Sequence, residues 1–459
     1  MRAIFEAGKL DPRTYDEETV APFAIRLAPS AWHELASLAE RAWAELAVVE
    51  RALVAERRAW RALGIPRKVR AIIAASPPPS ERDVRFARFD FHPTTEGWRV
   101  SEINADVPGG FIEAGALARI VAERLPRLEC LPDPARVLAQ AIAERIPNGN
   151  AALVHATSYT DDQQVVRRIG AELAALGVHA HLASPAHVHP CVKPCVNPHV
   201  NPHVKPCGEP SASRARLSTT GVEVDAVMRF FPCEWLGNLS RADRARWSRL
   251  PANVVRSNPP SALLLQGKRL PLVLRELGIS TPTWNEVLPD VAPIGLRSFA
   301  RRVDPSGFVL KPVWGRIGEG VVLDGATSAA AARRARWMAR LFPKSWCLQR
   351  KFESIPLCQE SSTNTSAMAQ SSFHSCIGVY VIDGRAAGAY ARVAPRALID
   401  GRAQDAAVLL DPSLDSSIDS SIDSSIDSSR HSSRDSSRGF SRHCSLKPSH
   451  EEGFQHASP

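Results

Sequence analysis

Between Val84 and Glu113 the chain reads VRFARFDFHPTTEGWRVSEINADVPGGFIE, and no other stretch limits its fold as much. Two runs of strand-like alternation flank a polar, Gly-containing turn from His92 to Gly97, which predicts a β-hairpin. Side chains alternate faces along a strand. Arg88 and Asp90 therefore share one face and Phe89 and Phe91 the other; on the returning strand Glu102 and Asn104 share a face with Ile103 behind. A register that pairs Asp90 with Glu102 also pairs Arg88 with Asn104. Two carboxylates held cross-strand repel unless a cation lies between them. With an amide oxygen they form a hard oxygen set suited to Mg²⁺, which keeps several waters and takes phosphate oxygens. Arg88 offers a planar fork to the same phosphate. Asp106-Val107-Pro108-Gly109-Gly110 then turns into an apolar-periodic helix (Leu117, Ile120, Val121, Leu125), and glycines at a helix N-terminus present N–H groups to an anion. Any one of these residues also fits a solvated surface hairpin; the cluster points to a phosphate and metal site.

The run R-x-D-F, a turn, then E-x-N-x-D-x-P-G-G resembles the synthetase domain of the glutathionylspermidine synthase family, an ATP-grasp fold. The resemblance covers most of the chain up to about Leu410. It implies an α/β (α+β) architecture, an ATP-grasp fold with a pre-ATP-grasp-like α/β domain. It further implies that Arg88 binds phosphate, as a catalytic residue, and that Asp90, Glu102 and Asn104 hold Mg²⁺. Gly109 and Gly110 would then face the transferred group or the acyl phosphate.

Further along, strand and helix patterns alternate. Pro29 to Leu63 has helical periodicity (Trp32, Leu35, Leu38, Trp43, Leu46, Val49, Leu53), with Ser30 as N-cap, and reads as core. Ser76 to Ser80 (SPPPS) is a stiff linker. Ala151 to Ala156 reads as a buried strand, followed by a helix from Asp161 to Leu176 and a strand after Gly177. This β-α-β order argues for an open α/β layer. By the resemblance, acidic residues in the loop before that helix lie near an amine substrate. Asp161 and Asp162 occupy the place, and a helix N-cap explains them equally well. Val222 to Leu236 resembles the family's strand ending in an aromatic segment. Glu234 there is either held for a ligand or part of a buried loop.

Asn258-Pro259-Pro260 precedes an apolar helix read as carrying Lys268, which the resemblance places on ATP phosphate. Lys311 ends the strand Phe308 to Pro312. After it, Val313-Trp314-Gly315-Arg316-Ile317-Gly318-Glu319-Gly320 and a strand Val321 to Leu323 form a glycine-rich flap able to close N–H groups over phosphates. No Walker pattern occurs, so this is not a P-loop. The K-P-x-x-G-R-x-G-x-G form is similar to the family's ATP-grasp flap, which puts Lys311 and Gly318 on ATP. Ala330 to Leu341 is an amphipathic helix. The strand Trp346 to Phe352 is similar to the family's hinge, with Gln349 at the adenine edge. Ile377 to Ala391 is a hairpin about Asp383-Gly384, and Arg392 after it matches a phosphate-contacting arginine. The pattern then departs. An I-T-x-N-x-S-R-F-type segment is replaced by Ile399-Asp400-Gly401-Arg402-Ala403-Gln404, with Asp400 as the candidate oxygen ligand.

Three stretches interrupt this plan. Residues 187–210 carry an x-V-x-P repeat rich in His and Cys; proline at every fourth position excludes helix and interior strand. Residues 359–372 are a low-complexity insertion, and residues 412–459 a Ser/Asp/Arg-rich tail with too little apolar content for a core. The expected domain is thus 1–411 with two inserted loops and a disordered tail.

At 459 residues and 44% hydrophobic content the chain can bury a sizeable core. A net charge of +9 is compatible with anionic ligands. No dense basic run interleaved with aromatics is present, which argues against nucleic acid as the partner. Nine cysteines, three of them within 187–210, do not read as a disulfide framework. No signal peptide and no membrane-spanning stretch is evident, so the expectation is a cytoplasmic protein. The function the resemblance implies is an ATP- and Mg²⁺-dependent amide-forming ligase acting through an acyl phosphate. Its substrates would be a small carboxylate, such as a thiol peptide, and an amine, such as a polyamine. The alternatives are a degenerate ATP-grasp nucleotide binder and a metal-binding protein using the His/Cys/Pro repeat.

Overall fold

The computed structural model describes residues 5–14, 17–190, 214–295, 307–315, 318–358 and 372–415. Most of the x-V-x-P repeat, the 359–371 insertion, Arg316 and Ile317 of the flap and the tail from 416 lie outside the described residues.

A central, largely antiparallel sheet has the strand order β1 (Ile25–Leu27), β13 (Gln404–Leu410), β12 (Arg385–Ala394), β11 (Ser372–Ile382), β2 (Phe86–Thr94), β3 (Gly97–Asn104). The β2–β3 register pairs Arg88 with Asn104 and Asp90 with Glu102, as the alternation predicts. Period-2 alternation splits the sheet into two faces. Phe89, Phe91, Val100, Ile103, Val379, Val381, Ala391 and Val393 join one buried core. The long helix α1 (Pro29–Ala55) covers it with Leu35, Leu46, Val49 and Leu53, each fully buried and worth about 1.5–3 kcal/mol. Arg88 and Asp90 point to the opposite face.

The helix start differs from the expected one. Ala28 is the N-cap because Pro29 takes the first helical position, where a missing N–H costs nothing. Ser30 is thereby moved inside, and its hydroxyl bonds Asp415 at 2.6 Å. The helix also ends at Ala55, and a separate turn, Ala59–Ala62, replaces its expected last part. Residues 413–415 form a further turn beyond Pro412.

A second sheet is all parallel, in the order β7 (Val255–Ser257), β6 (Ala226–Phe230), β4 (Asn150–His155), β5 (His179–Ala183). Helices α3 (Pro134–Arg145) and α4 (Thr160–Ala175) pack with it through Leu138, Ile142, Val166, Ile169 and Leu173. Asp161 and Asp162 are not the N-cap of α4. Tyr159 is, and the two aspartates stand in the first turn, where the helix dipole favours negative charge. The start of the repeat, Val188–Pro190, is a three-residue edge strand beside Ala215–Leu217. A fully buried ion pair, Arg229 to Asp106, ties β6 to the turn after the β2–β3 hairpin; Cys233 N also donates to Asp106 at 2.7 Å.

The third layer is a small antiparallel sheet, β8 (Val291–Pro293), β10 (Trp346–Arg350), β9 (Phe308–Pro312). It is joined to α1 through α5 (Leu263–Gln266), α6 (Leu270–Leu277) and α7 (Pro282–Val287). Its outer face packs Leu310, Trp346 and Leu348 against Ala332, Ala335 and Ala339 of α8 (Ala329–Leu341). Alternation sends Lys311 and Gln349 to its inner face. Lys268 is not on a helix as expected: Gly267 is extended and Pro271 follows, so α5 and α6 are separate and Lys268 lies between them. Among the described residues Val321 to Leu323 forms one bridge, Leu310 to Val322, with Gly318 and Gly320 both at positive φ beside it.

Candidate functional site

Between the central sheet and the inner face of the small sheet lies a cleft of about 750 Å³. Arg88, Asp90, Glu102, Asn104, Gly109, Gly110, Asp162, Lys268, Lys311, Gly318, Gln349 and Arg392 all line it. Glu234 does not; it sits on the short helix Cys233–Leu236, where neighbouring Trp235 stacks on Tyr159.

The hairpin's polar face is a connected network. Arg88 donates from Nε and Nη2 to the two Asp90 oxygens at 2.6 and 2.9 Å. Its third nitrogen, Nη1, donates to the Gly109 carbonyl at 2.8 Å, and Asn104 Nδ2 donates to Asp90 at 3.1 Å. Tyr380 hydroxyl donates to the same Gly109 carbonyl, and the Arg88 guanidinium stands 5.1 Å from the Tyr390 ring centre. Gly110 has φ +94°, and a Cβ there would come within 2.4 Å of Tyr390. Only glycine fits this turn.

Two lysines face the hairpin from the other side. Lys268 Nζ lies 3.2 Å from Glu102 Oε2 and donates to the Gly315 carbonyl at 2.8 Å. Lys311 Nζ donates to Ser101 O at 3.1 Å. Burial, reinforced by Lys268 and opposed by Glu102, brings Lys311 down to about 8. Burial pushes the Glu102 carboxyl up, but Lys268, Lys311 and Arg88 outweigh it and hold it below its ordinary range. Cations thus outnumber anions at this end, which is the electrostatics an anionic ligand requires. Gln349 is buried at its edge, on β10. Arg392 donates to the Asp400 carbonyl at 2.6 Å. The Asp400 carboxylate accepts from Arg402 N, and Asp400 is absent from the cleft lining.

The donor set fits Mg²⁺ in its chemistry. All three candidate residues carry hard oxygens, and among the described residues nothing donates to Glu102 Oε1 or Asn104 Oδ1, while Asp90 is engaged by Arg88 and Asn104. Two carboxylates and one amide leave room for phosphate oxygens and water, the usual Mg²⁺ arrangement. Among the described residues no group of three or more His, Cys, Asp or Glu side chains forms a metal site by itself. The His/Cys/Pro repeat on which the alternative metal-binding reading rests falls outside them from position 191.

At the far end of the cleft only Asp161 and Asp162 were singled out from the sequence. Asp11, Glu113, Asp161, Asp162 and Asp405 line it. Buried Lys9 beneath them reaches Glu113 at 2.6 Å, Asp405 at 3.1 Å and Asp11 at 3.2 Å. Burial opposes the charge on Lys9, but these carboxylates outweigh it and raise its pKa. Burial and then Glu113 push Asp405 up to about 6. These residues come from four distant segments; Asp161 and Asp162 stand where the resemblance places an amine substrate, and no local pattern marks Lys9, Asp11, Glu113 and Asp405. Asp405 directly follows the Ile399–Gln404 segment that departs from the family pattern.

No protein-family model matches the chain, and no curated protein matches it by sequence. Among solved structures it is similar to a glutathione synthetase-like effector from Globodera pallida in apo form. The TM-score is 0.56 at 11% identity, covering 85% of this chain and 90% of that one. A provisionally named gamma-glutamylcysteine synthetase from Methylobacillus flagellatus aligns with a TM-score of 0.39 at 13% identity, over 78% and 85% of the two chains, too loosely to carry an argument. At such identities the likeness speaks of fold alone, and it does not single out glutathionylspermidine synthase. The parallel sheet, the central sheet with its hairpin and the small sheet over the cleft make up a mixed α/β fold similar to that of the glutathione synthetase-like effector.

Proposed function

We propose that the cleft is the active site of an ATP-dependent ligase that joins a carboxylate to an amine, as in the glutathionylspermidine synthase family. The observation that carries this reading is that four cations from separate segments, Arg88, Lys268, Lys311 and Arg392, line one cleft with the hairpin's oxygen set, Lys268 and Arg88 in direct contact with its carboxylates. In the reaction a carboxylate oxygen attacks the γ-phosphorus of ATP, the bond to the β–γ bridging oxygen breaks, and ADP leaves an acyl phosphate. The unprotonated amine nitrogen then attacks the acyl carbon, phosphate departs with the C–O bond electrons, and the nitrogen gives up a proton.

The protein's part is positioning and charge neutralisation. Arg88, held by Asp90, keeps its guanidinium at the Gly109–Gly110 turn, where backbone N–H groups meet the transferred phosphoryl group. Lys268, Lys311 and Arg392 neutralise the remaining phosphate oxygens, and Gln349 reads the adenine edge. Glu102 and Asn104, with Asp90, would hold Mg²⁺, which would supply neutralisation of phosphate charge there. The carboxylates at the far end outnumber Lys9 and favour a cationic amine, of polyamine character, as acceptor. The carboxylate partner is a small acid such as a thiol peptide.

A second reading, nucleotide binding without turnover, is favoured by one observation: Asp400 is turned to Arg402 N, away from the place of a metal ligand. Release of ADP and phosphate, measured across a panel of thiol peptides and polyamines, separates the two. The ligase reading expects turnover only when a carboxylate and an amine are both present. ATP binding with no turnover in any pairing would establish the second reading instead.

A further inference from the structure

The parallel sheet contains one point at which the chain changes its direction of winding. From β4 the chain crosses through α4 to β5 on one side; it later enters β6 on the other side of β4, and β7 follows beyond β6. The connections that leave the carboxyl ends of β4 and β6 therefore run apart and open a crevice between them. Open parallel sheets bind ligands at such a switch point. His155 and Phe230 stand opposite each other in register at this edge, so residues 156–160 and 231–235 form the two walls.

These walls are aromatic. Tyr159, just before α4, has its ring centre 5.3 Å from that of Trp235, with the planes tilted by 46°. Phe231 meets the same Trp235 at 5.8 Å and 76°. Rings set at such angles around one indole make a corner rather than a stack. Packing alone would bury them, yet Tyr159 is 52% exposed and Phe231 and Trp235 are half-buried. The charge beside the corner has one sign. Asp161 and Asp162 follow Tyr159 in the first turn of α4, and Glu234 adjoins Trp235 on the short helix. From Ala156 to Gln164 and from Phe230 to Leu239 the chain carries these acids and neither lysine nor arginine. The corner also continues the cleft, because Phe230, Asp161 and Asp162, its neighbours in the chain, line the far end.

Aromatic faces attract a cation but accept only weak hydrogen bonds. An ammonium rich in N–H groups loses its water there without replacement, whereas an N-alkylated one loses little. We propose that Tyr159, Phe231 and Trp235 form a binding site for an N-alkylated ammonium group, the outer end of a ligand whose inner end reaches the carboxylates of the cleft. That this ligand is the acceptor amine rests on the ligase reading; the ammonium site itself does not, since it belongs to the parallel sheet and its loops.

Saturation-transfer NMR of the full-length chain with tetramethylammonium chloride tests the site, with tert-butanol as an uncharged probe of similar shape. Wild type should transfer saturation to the tetramethylammonium methyls well above tert-butanol. Tyr159→Leu should cut that transfer about threefold or more, and Tyr159→Phe should retain it, because phenylalanine keeps the ring face. Tyr159 is exposed enough for both variants to fold, which a thermal melt verifies. Equal transfer to the two probes in wild type would mean an apolar patch and would overturn the proposal. So would equal tetramethylammonium transfer in wild type and Tyr159→Leu, or a loss in Tyr159→Phe as large as in Tyr159→Leu. The readout is binding alone: failure here leaves the ligase reading standing, and a chain without ATP turnover would still show the ammonium site.

Discussion

Arg88→Lys is expected to lower ligase turnover about 100-fold or more, the scale seen when a preorganised donor is removed from a developing charge. The fold should be retained. Arg88 makes two parallel bonds to Asp90 and a third to the Gly109 carbonyl, and a lysine ammonium cannot span all three. Lysine keeps the positive charge, so Asp90 is not stranded in the interior, a loss that costs about 3–5 kcal/mol for a buried pair. Steady-state kinetics beside a thermal melt check this. A fall in kcat with an unchanged melting midpoint is the expected result, and a melting shift large enough to explain the lost activity would assign Arg88 a structural role.

Lys9→Met is expected to have the largest effect on stability, about 3–5 kcal/mol near pH 8. The Lys9 ammonium is the cation between Glu113, Asp405 and Asp11, and methionine fills the stem but leaves the carboxylates facing one another. The sign with pH follows from linkage. The raised pKa of Lys9 means its charge persists across the neutral range, so in the wild type this contribution is intact below ordinary lysine values, about 10.4. In the variant the pH dependence comes from the carboxyls. Asp405 already stands at about 6, and a carboxyl with a raised folded pKa loses stability as pH rises through it. The cost should therefore be small near ~pH 4, grow through ~pH 6 and be complete by ~pH 8. Urea melts at these three values measure it; a cost independent of pH would show that lost packing, not stranded charge, is responsible.

The two ends of the cleft differed in how far sequence could reveal them. The hairpin was readable to the register because β2 and β3 are adjacent in sequence and period-2 alternation fixes which residues share a face. Lys9 and its partners were not, because Glu113 is 104 and Asp405 396 positions away; such pairings depend on how β13 is placed in the central sheet. Element boundaries followed local chemistry that hydrophobic periodicity does not sense. Pro29 moved a helix N-cap by two residues, Gly267 and Pro271 took Lys268 off a helix, and two left-handed glycines stand beside an expected strand that forms one bridge among the described residues. In each case the type of element was right nearby and the exact edge was set by backbone conformation.

Calorimetric titration of ATP into wild type and Glu102→Ala, each with and without Mg²⁺, tests the central claim most directly. Glu102 is held ionised among Lys268, Lys311 and Arg88, on the strand face that the hairpin turns to the cleft. The account predicts that Mg²⁺ tightens ATP binding by wild type about tenfold or more and that Glu102→Ala abolishes this dependence while keeping its fold. The same Mg²⁺ dependence in both proteins, or no ATP binding by wild type, would contradict it.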